Sequence, residues 1–428
     1  MDRFLKLQEW LSERKVENVE IIVSDMAGIA RGKIQPAAHL KSKDIKLPIA
    51  VFAQTIAGQF YLPRENIEDS DMFLKPDISS LRLVPWAVEK TASAIMDCYD
   101  KNGVPVDFSP RSVLRRVVEK YESRGWTPIV APEVEFHLSK ASTLDAQIDP
   151  YGIDRLHDLG AFFEKLSGYC KIQDIWLGGI SQEIGPGQYE VNFQHGPPIK
   201  LADDVFHFKR TIKRVALEHD LRVNFLAKPT KHGPGSSMHI HQSIYDDGRK
   251  NMFVQSDGAI SKLFLSYMGG LQKYLPSALL LFAPYANSYR RFLSFYSSPV
   301  NLEWGVDNRT VGLRVPEAAA DARRIENRLA GSDVNPYLAI AGTLACGFLG
   351  MTENLAPRPP IEGSAYDLPF ALHRHLYEAL DAFSASTAMR EVLGDEFVTL
   401  YAKVKELEYA TFQSHVTDWE RNELAFIV

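Results

Sequence analysis

The chain has 428 residues, 45% of them hydrophobic and 24% charged, the composition expected of a water-soluble globular protein too long for one ordinary core. Its formal net charge of −6 argues against binding nucleic acid through the phosphate backbone, which usually demands a basic face. No apolar leader follows the initial Met-Asp-Arg-Phe-Leu-Lys, and the most apolar window, residues 337–351, is too short to span a bilayer, so a cytoplasmic protein with no membrane partner is expected.

Near the start, Phe4, Leu5, Leu7, Trp10 and Leu11 fall at the spacing of an amphipathic helix. Residues 19–23 and 29–34 read as the two strands of a hairpin around a turn at 25–28. Strand-like runs at 47–55, 81–84 and 92–99 complete a small, mostly β unit, expected to be an N-terminal domain of residues 1–107. Ser109 predicts an N-cap with Pro110 at the first helical position, and Val113, Leu114, Val117 and Val118 continue the helix to Arg124. That helix opens a larger unit, residues 108–428, in which strands and helices alternate as in an α+β fold. Cys98, Cys170 and Cys346 share no CxxC spacing and read as buried free thiols in a reducing compartment. Gly342, Gly347 and Gly350 suit a buried helix packed closely on a neighbour. Residues 28–33, Gly-Ile-Ala-Arg-Gly-Lys, are one residue short of a phosphate-binding P-loop and lack its hydroxyl residue.

Three stretches carry chemistry. In residues 228–243 a glycine-rich loop with Gly233 and Gly235 leads into alternating Ser-Met-His-Ile-His-Gln-Ser, a strand with His239, His241 and Ser243 on one face and Ile240 and Gln242 on the other. In residues 129–138 Glu133 and Glu135 share a face opposite Val134, Phe136 and Leu138; two like charges so placed repel unless a cation lies between them. Glu183 precedes a Gly185-Pro-Gly187 turn, and Glu190 sits on the strand after it. Four carboxylates and an imidazole, with no cysteine, suit Mg²⁺ or Mn²⁺ rather than zinc or an iron–sulfur centre. Further on, Arg309 and Arg314, then Arg324, Glu326 and Arg328, occupy two strand-like stretches, with Glu326 expected between the guanidiniums of Arg324 and Arg328. Taken singly, each stretch also reads as a solvated edge, an incidental pair of histidines or a salt-bridge ladder. Together they favour a metal-plus-phosphate site.

The order Glu-x-Glu, Glu-(x)6-Glu, Gly-rich–Met-His-x-His-x-Ser, Asn-Arg-(x)4-Arg, Arg-x-Glu-x-Arg resembles the glutamine synthetase superfamily over nearly the whole chain. The resemblance implies an N-terminal β-grasp-like domain and a catalytic domain built as an antiparallel β cage around a funnel, with ATP and glutamate entering from opposite ends. It implies two or more Mg²⁺ or Mn²⁺ ions per site, one held by Glu135, Glu183 and Glu190 and another by Glu133, His239 and Glu326. His241, Ser243, Arg314 and Arg324 match ATP-holding positions. Arg291 and Gly235 match glutamate contacts, and Arg309 and Arg328 match arginines that steady the transferred phosphoryl group. Homo-oligomeric rings, hexamers or dodecamers, with each site closed by the neighbour's N-terminal domain, are the family rule.

The sequence departs from that pattern where ammonium would bind. Glutamine synthetases proper carry a flap glutamate in Arg-Leu-x-Pro-Gly-x-Glu-Ala-Pro; here the stretch is Arg291-Phe-Leu-Ser-Phe-Tyr-Ser297-Ser-Pro299, with Ser297 at the glutamate position. No acid lies between Lys46 and Tyr61, where the family's N-terminal aspartate is expected, and Pro234 replaces an asparagine. Holding a small desolvated cation needs fixed negative charge. The pattern therefore resembles the γ-glutamyl-amine (glutamylpolyamine and glutamyl-monoamine) synthetase branch, implying a glutamate–amine ligase whose nitrogen donor is an organic amine; the alternatives are a glutamine synthetase with a rebuilt ammonium site or a catalytically silent paralogue. Phe292, Leu293, Phe295 and Tyr296 of the flap, with Phe52, Ile56 and Phe60, point to a monoamine with an apolar tail unless Glu65, Glu68 or Asp69 supplies an acid. Tyr366, in Ser-Ala-Tyr-Asp-Leu-Pro, resembles the adenylylation loop of some bacterial enzymes.

Overall fold

Two sheets organise the molecule, a computed structural model that describes residues 3–40, 45–61, 70–140 and 149–428. The first holds β1 (Asn18–Ser24), β2 (Ala30–Pro36), β3 (Lys46–Pro48), β4 (Asp71–Pro76), β5 (Arg82–Leu83) and β6 (Thr91–Tyr99) in the order β2-β1-β6-β4-β3, with β5 also on β6. The second holds β7 (Trp126–Lys140), β8 (Leu177–Gln182), β9 (Gln188–Phe193), β10 (Leu221–Asn224), β11 (Met238–Asp246), β12 (Trp304–Val306), β13 (Leu313–Val315) and β14 (Ile325–Asn327). Their order is β12-β13-β14-β11-β7-β9-β8, with β10 also on β7, and every pairing except β12–β13 is antiparallel.

The early elements form where expected, with one exception. The helix Arg3–Glu13 buries Leu7 and Leu11 and leaves Leu5 exposed. Ser109 accepts the N–H of Ser112 and caps the helix Pro110–Glu122, which buries Val113, Leu114 and Val117. Residues 47–55 are not one strand: Pro48, which has no N–H to donate, ends β3, and a 3-10 turn at Ile49–Ala53 tucks Phe52 edge-on against Phe108 in the core. Phe52 therefore cannot line a substrate pocket. Glu65, Glu68 and Asp69 lie outside the described residues.

Behind the second sheet lie the helices Pro198–Glu218, Lys262–Ala278 and Pro336–Glu353. The last two meet at Gly270 and Gly350, where a Cβ on Gly270 would stand 2.3 Å from the Cys346 carbonyl oxygen. No larger residue fits that contact. On the rear face of β11, Gln242 hydrogen-bonds Thr343 at 2.9 Å and accepts the Tyr267 hydroxyl at 2.7 Å, while Asn327 donates to the same threonine at 3.0 Å. The front face is thereby left to chemistry. Cys98, Cys170 and Cys346 are buried and unpaired. Among the described residues, no helix is long and apolar enough to cross a membrane.

Arg111 joins the first sheet to the helices behind the second. Its guanidinium donates to both oxygens of Asp203 (3.0 and 2.9 Å), to Asp97 (2.9 Å) and to Asp77 (2.6 Å), while the Tyr337 hydroxyl donates to Asp203 at 2.6 Å. Arg115 adds a second contact to Asp97 at 2.9 Å. Nearer the helix Pro198–Glu218, Arg82 pairs with Asp204.

Candidate active site

Strand register assembles the site. Antiparallel pairing sets Glu133 opposite both His239 and Asn192, Glu135 opposite Glu190, His241 opposite Glu326, and Glu326 opposite Arg314. Because alternate side chains share a face, these residues of β9, β7, β11, β14 and β13 all project forward, while Val134, Phe136, Ile240 and Gln242 project back into the core. A one-residue slip of β11 would turn both histidines away.

In front of the sheet is a cavity of about 460 Å³. Glu133, Glu135, Glu183, Glu190, His239, Gly235, Arg291, Ser297, Arg309, Arg314, Glu326 and Arg328 all line it. His241, Ser243 and Arg324 are not in that lining. His241 stands beside it, with Nε2 3.0 Å from Glu133 and Nδ1 accepting from Arg324 Nε at 3.2 Å. Ser243 lies two residues further along β11, opposite Ile129.

One expected pairing is different. Glu326 is held by Arg328 and by Arg314, at 2.8 Å from the latter, rather than by Arg324. Arg324 precedes β14, and the β13–β14 register instead delivers Arg314 across from Glu326. Such a partner is set by a neighbouring strand, so alternation within one strand could not reveal it. Arg314 also pairs with Asp307, a residue the sequence reading passed over.

The carboxylates divide into two electrostatic groups. Burial raises Glu326, but the attraction of Arg328, His239 and His241 outweighs it and holds the group at about 2. Glu133 likewise stays ionised, since hydrogen bonds from both histidines overcome its burial. On the other side, burial and the charge of Glu183 push Glu135 up to about 8, and burial together with Glu133, Glu135 and Glu183 pushes Glu190 up to about 9. Glu183 itself is raised, chiefly by burial. His239 falls to about 4, mainly through burial and then through Arg328, so it is neutral at ordinary pH, the form that ligates metals.

Those carboxylates fit divalent cations. His239 Nδ1 lies 3.5 Å from Glu133 and 3.6 Å from Glu326. Candidate ligand atoms of Glu133, Glu190 and His239, and separately of Glu133, His241 and Glu326, come within 4.8 Å of one another. Three mutually repelling glutamates beside a neutral imidazole make a hard, oxygen-rich donor set, and a cation is the group that relieves them. On the arginine side, Nε of Arg291, Arg314 and Arg328 is buried without a hydrogen-bond partner among the described residues, leaving donor capacity in the wall.

The flap has its own geometry. Tyr296 and Ser297 both adopt left-handed backbone, each with φ 55°, a conformation costly for non-glycine residues. The turn is fastened on two sides: Arg328 donates to the Ser297 carbonyl at 3.2 Å and the Tyr296 hydroxyl donates to the His232 carbonyl at 3.1 Å. Tyr366 donates to the Ser298 carbonyl at 3.1 Å. Phe292, expected in the amine pocket, is instead buried against Tyr289; Leu293, Phe295 and Tyr296 are exposed. Ile56 borders a different cavity of the same chain, beside Glu408 and Thr411. Several lining residues, Tyr151 and Gln188 among them, had no sequence signal. Tyr151 reaches the cavity from a left-handed position with φ 60°, and Gln188, at the start of β9, bridges Glu135 and Gly235.

Carboxylates suited to divalent cations facing guanidiniums suited to oxyanions define the class of site, one that handles phosphoryl groups. The model of the glutamine synthetase catalytic domain matches residues 107–424, and the chain belongs to the glutamine synthetase family, whose members use ATP and divalent metal ions. It is 32% identical to a glutamate–isopropylamine ligase of a Pseudomonas species, covering 98% of this chain and 97% of the relative. It is 30% identical to the γ-glutamylputrescine synthetase of Escherichia coli, covering 94% and 90%. Among solved structures, a complex titled GmaS/ADP superposes with a TM-score of 0.87 at 26% identity, covering 98% of this chain and 99% of that one.

Proposed function

We propose that this chain is an ATP-dependent ligase that joins the γ-carboxylate of glutamate to an organic primary amine. The observation that carries the reading is a cavity in which five glutamates face Arg291, Arg309, Arg314 and Arg328 beside a flap without an acid, where Ser297 lines the wall. Both relatives named above, for isopropylamine and for putrescine, support an amine over ammonium.

A carboxylate is a poor electrophile, so the γ-carboxylate first takes the γ-phosphoryl group of ATP, giving γ-glutamyl phosphate and ADP; the amine nitrogen then displaces phosphate. Glu135, Glu183 and Glu190 would hold one divalent cation and Glu133, His239 and Glu326 another, Mg²⁺ or Mn²⁺, which when bound supplies charge neutralisation at the phosphoryl oxygens. His241, Ser243, Arg314 and Arg324 bind ATP in this reading. Arg291 and Gly235 place the glutamate. Arg309 and Arg328 disperse the negative charge that develops during transfer.

The same proposal divides the chain at residues 107 and 108, places it in the cytoplasm, and has subunits form a ring, a hexamer or dodecamer, in which a neighbour's N-terminal segment closes each site. With Phe52 and Phe292 in the core, the exposed apolar residues left for the amine pocket are Leu293, Phe295 and Tyr296 of the flap and Ile56 and Phe60 of the N-terminal segment, and a monoamine with an apolar tail is preferred to a diamine. The test is ADP release at fixed glutamate across ammonium, a short alkylamine, phenethylamine and putrescine. Alkylamine or phenethylamine should lead; putrescine ahead by tenfold overturns the monoamine preference, comparable kcat/KM for ammonium returns the chain to glutamine synthesis, and full activity in EDTA removes the metal assignment.

A further inference from the structure

Gln188 takes part in none of the chemistry above, yet its buried carboxamide makes three hydrogen bonds. Nε2 donates to Glu135 Oε2 at 2.9 Å and to the Gly235 carbonyl at 2.9 Å, and Oε1 accepts the Gly185 N–H at 2.9 Å. The pattern fixes which way the amide faces. Flipped, it would set its oxygen against a carboxylate and a carbonyl and its NH₂ against an N–H. Removing it leaves buried acceptors without a donor.

The contacts close into a ring. A Cβ on Gly235 would stand 2.4 Å from Arg291 Cγ and 2.7 Å from the Ala227 carbonyl, so the loop backbone lies directly against the arginine. Arg291 donates to Ser237 Oγ at 3.1 Å, and the Ser237 N–H donates to Glu135 Oε2 at 2.9 Å. Glu135, Gln188, Gly235, Arg291 and Ser237 thus form a circuit in which each touches the next. Gln188 is the member whose side chain bridges the carboxylate to the Gly235 carbonyl, alongside the backbone of Ser237, and it belongs to neither proposed ligand set.

We propose that Gln188 is a positioning residue that couples the cation-binding carboxylate Glu135 to the glutamate-binding loop at Gly235, so that divalent-cation binding and glutamate binding strengthen each other. The idea rests on the proposed function for the two ends of the link. Were a cation held by Glu135, a shift of its carboxylate would pass through the Gln188 amide to the Gly235 carbonyl. The effect must be reciprocal, because it is a binding free energy shared by two sites.

Calorimetry tests this without turnover. Glutamate affinity is measured with and without saturating Mn²⁺ on the wild-type protein, on Gln188→Met and on Gln188→Asn, whose amide is one methylene short of its partners. In the wild type, Mn²⁺ should tighten glutamate binding at least about fivefold, the lower end of typical coupling between sites. In both variants that ratio should fall well below the wild-type value, while metal-free glutamate affinity changes far less. A merely structural role would weaken both measurements and leave the ratio intact, which overturns the proposal, as does a wild-type ratio of one. Should Gln188→Met fail to give a folded melt, Gln188→Asn carries the comparison. Wild-type protein that binds neither Mn²⁺ nor glutamate would instead overturn the function proposed above.

Discussion

Arg111 and the cavity each gather several buried carboxylates, but their counter-charges are distributed differently. Around Arg111, each of Asp77, Asp97 and Asp203 accepts directly from a guanidinium. Burial pushes Asp77 up, yet Arg111 and hydrogen bonds from Ser79 bring it below the ordinary carboxylate range. In the cavity the arginines Arg314 and Arg328 are spent on Glu326, whereas Glu135 accepts from the amides of Gln188 and Ser237, and Glu190 from Asn192. Proximity of acids is therefore not the signature of a metal site. What sets the cavity apart is Glu135 and Glu190, buried acids that accept from neutral amides instead of a guanidinium.

The largest expected effect comes from breaking the satisfied cluster. Arg111→Met leaves Asp203 in the interior without its guanidinium and should cost about 3–5 kcal/mol, the usual penalty for removing one partner of a buried ion pair. Urea unfolding at fixed protein concentration measures it; a loss below about 1 kcal/mol would show that other contacts hold the first sheet in place.

Glu190→Gln should do the reverse. It removes a carboxyl that burial and its neighbours force to take up a proton on folding, so at neutral pH the metal-free protein should melt higher, while ADP release falls roughly 10²–10³-fold, as for loss of one electrostatic group in a preorganised site. A lower melting temperature together with full activity would mean that Glu190 is structural.

The two clusters also answer pH with opposite signs. Glu135 and Glu190 bind protons more tightly folded than unfolded, with folded values of about 8 and about 9 against an ordinary 4.5. Without metal, their contribution to stability is present below the unfolded value and is lost as pH rises through the folded ones. Asp77 lies below its ordinary 3.8, so its contribution is present above that value and disappears on acidification. Metal-free protein should therefore melt progressively lower from about pH 6 to about pH 9, and saturating Mg²⁺, which binds the ionised form, should flatten or invert that slope. An unchanged slope with Mg²⁺ would separate these glutamates from cation binding.

The smallest effect concerns nitrogen choice. Ser297→Glu puts a carboxylate at the flap position, beside the carbonyl that Arg328 already holds. It should lower kcat/KM for phenethylamine several-fold relative to ammonium, a shift on the order of 1 kcal/mol. No change in that ratio would show that the amine does not pass Ser297.

Much of the site was legible because its information is local. Glu133 and Glu135, or His239 and His241, announce a shared face through a period of two, and the register then has only to align the faces. What stayed hidden depends on other strands and on loops. The Arg314–Glu326 pairing follows from β13 lying next to β14. Phe52 reads as a strand residue until Pro48 ends the ladder and a 3-10 turn buries it. Phe292 looks like flap lining because its neighbours are, yet it turns into the core. Gln188 gave no cue, since its partners are a carboxylate on another strand and two backbone atoms.

The rear face of β11 has a practical consequence for redesign. Gln242, Thr343, Tyr267 and Asn327 bolt the histidine-bearing strand to two helices that themselves meet at glycine. A strand anchored in this way has no slack for accommodating a new substrate, and mutations in that layer will spread to every ligand in front of it. The segments at Tyr151 and at residues 296–298 border the same cavity and lie outside that layer, the flap being held instead through the Ser297 and Ser298 carbonyls and the Tyr296 hydroxyl. A library aimed at other amines belongs there, where the bench can be altered while the vice stays shut.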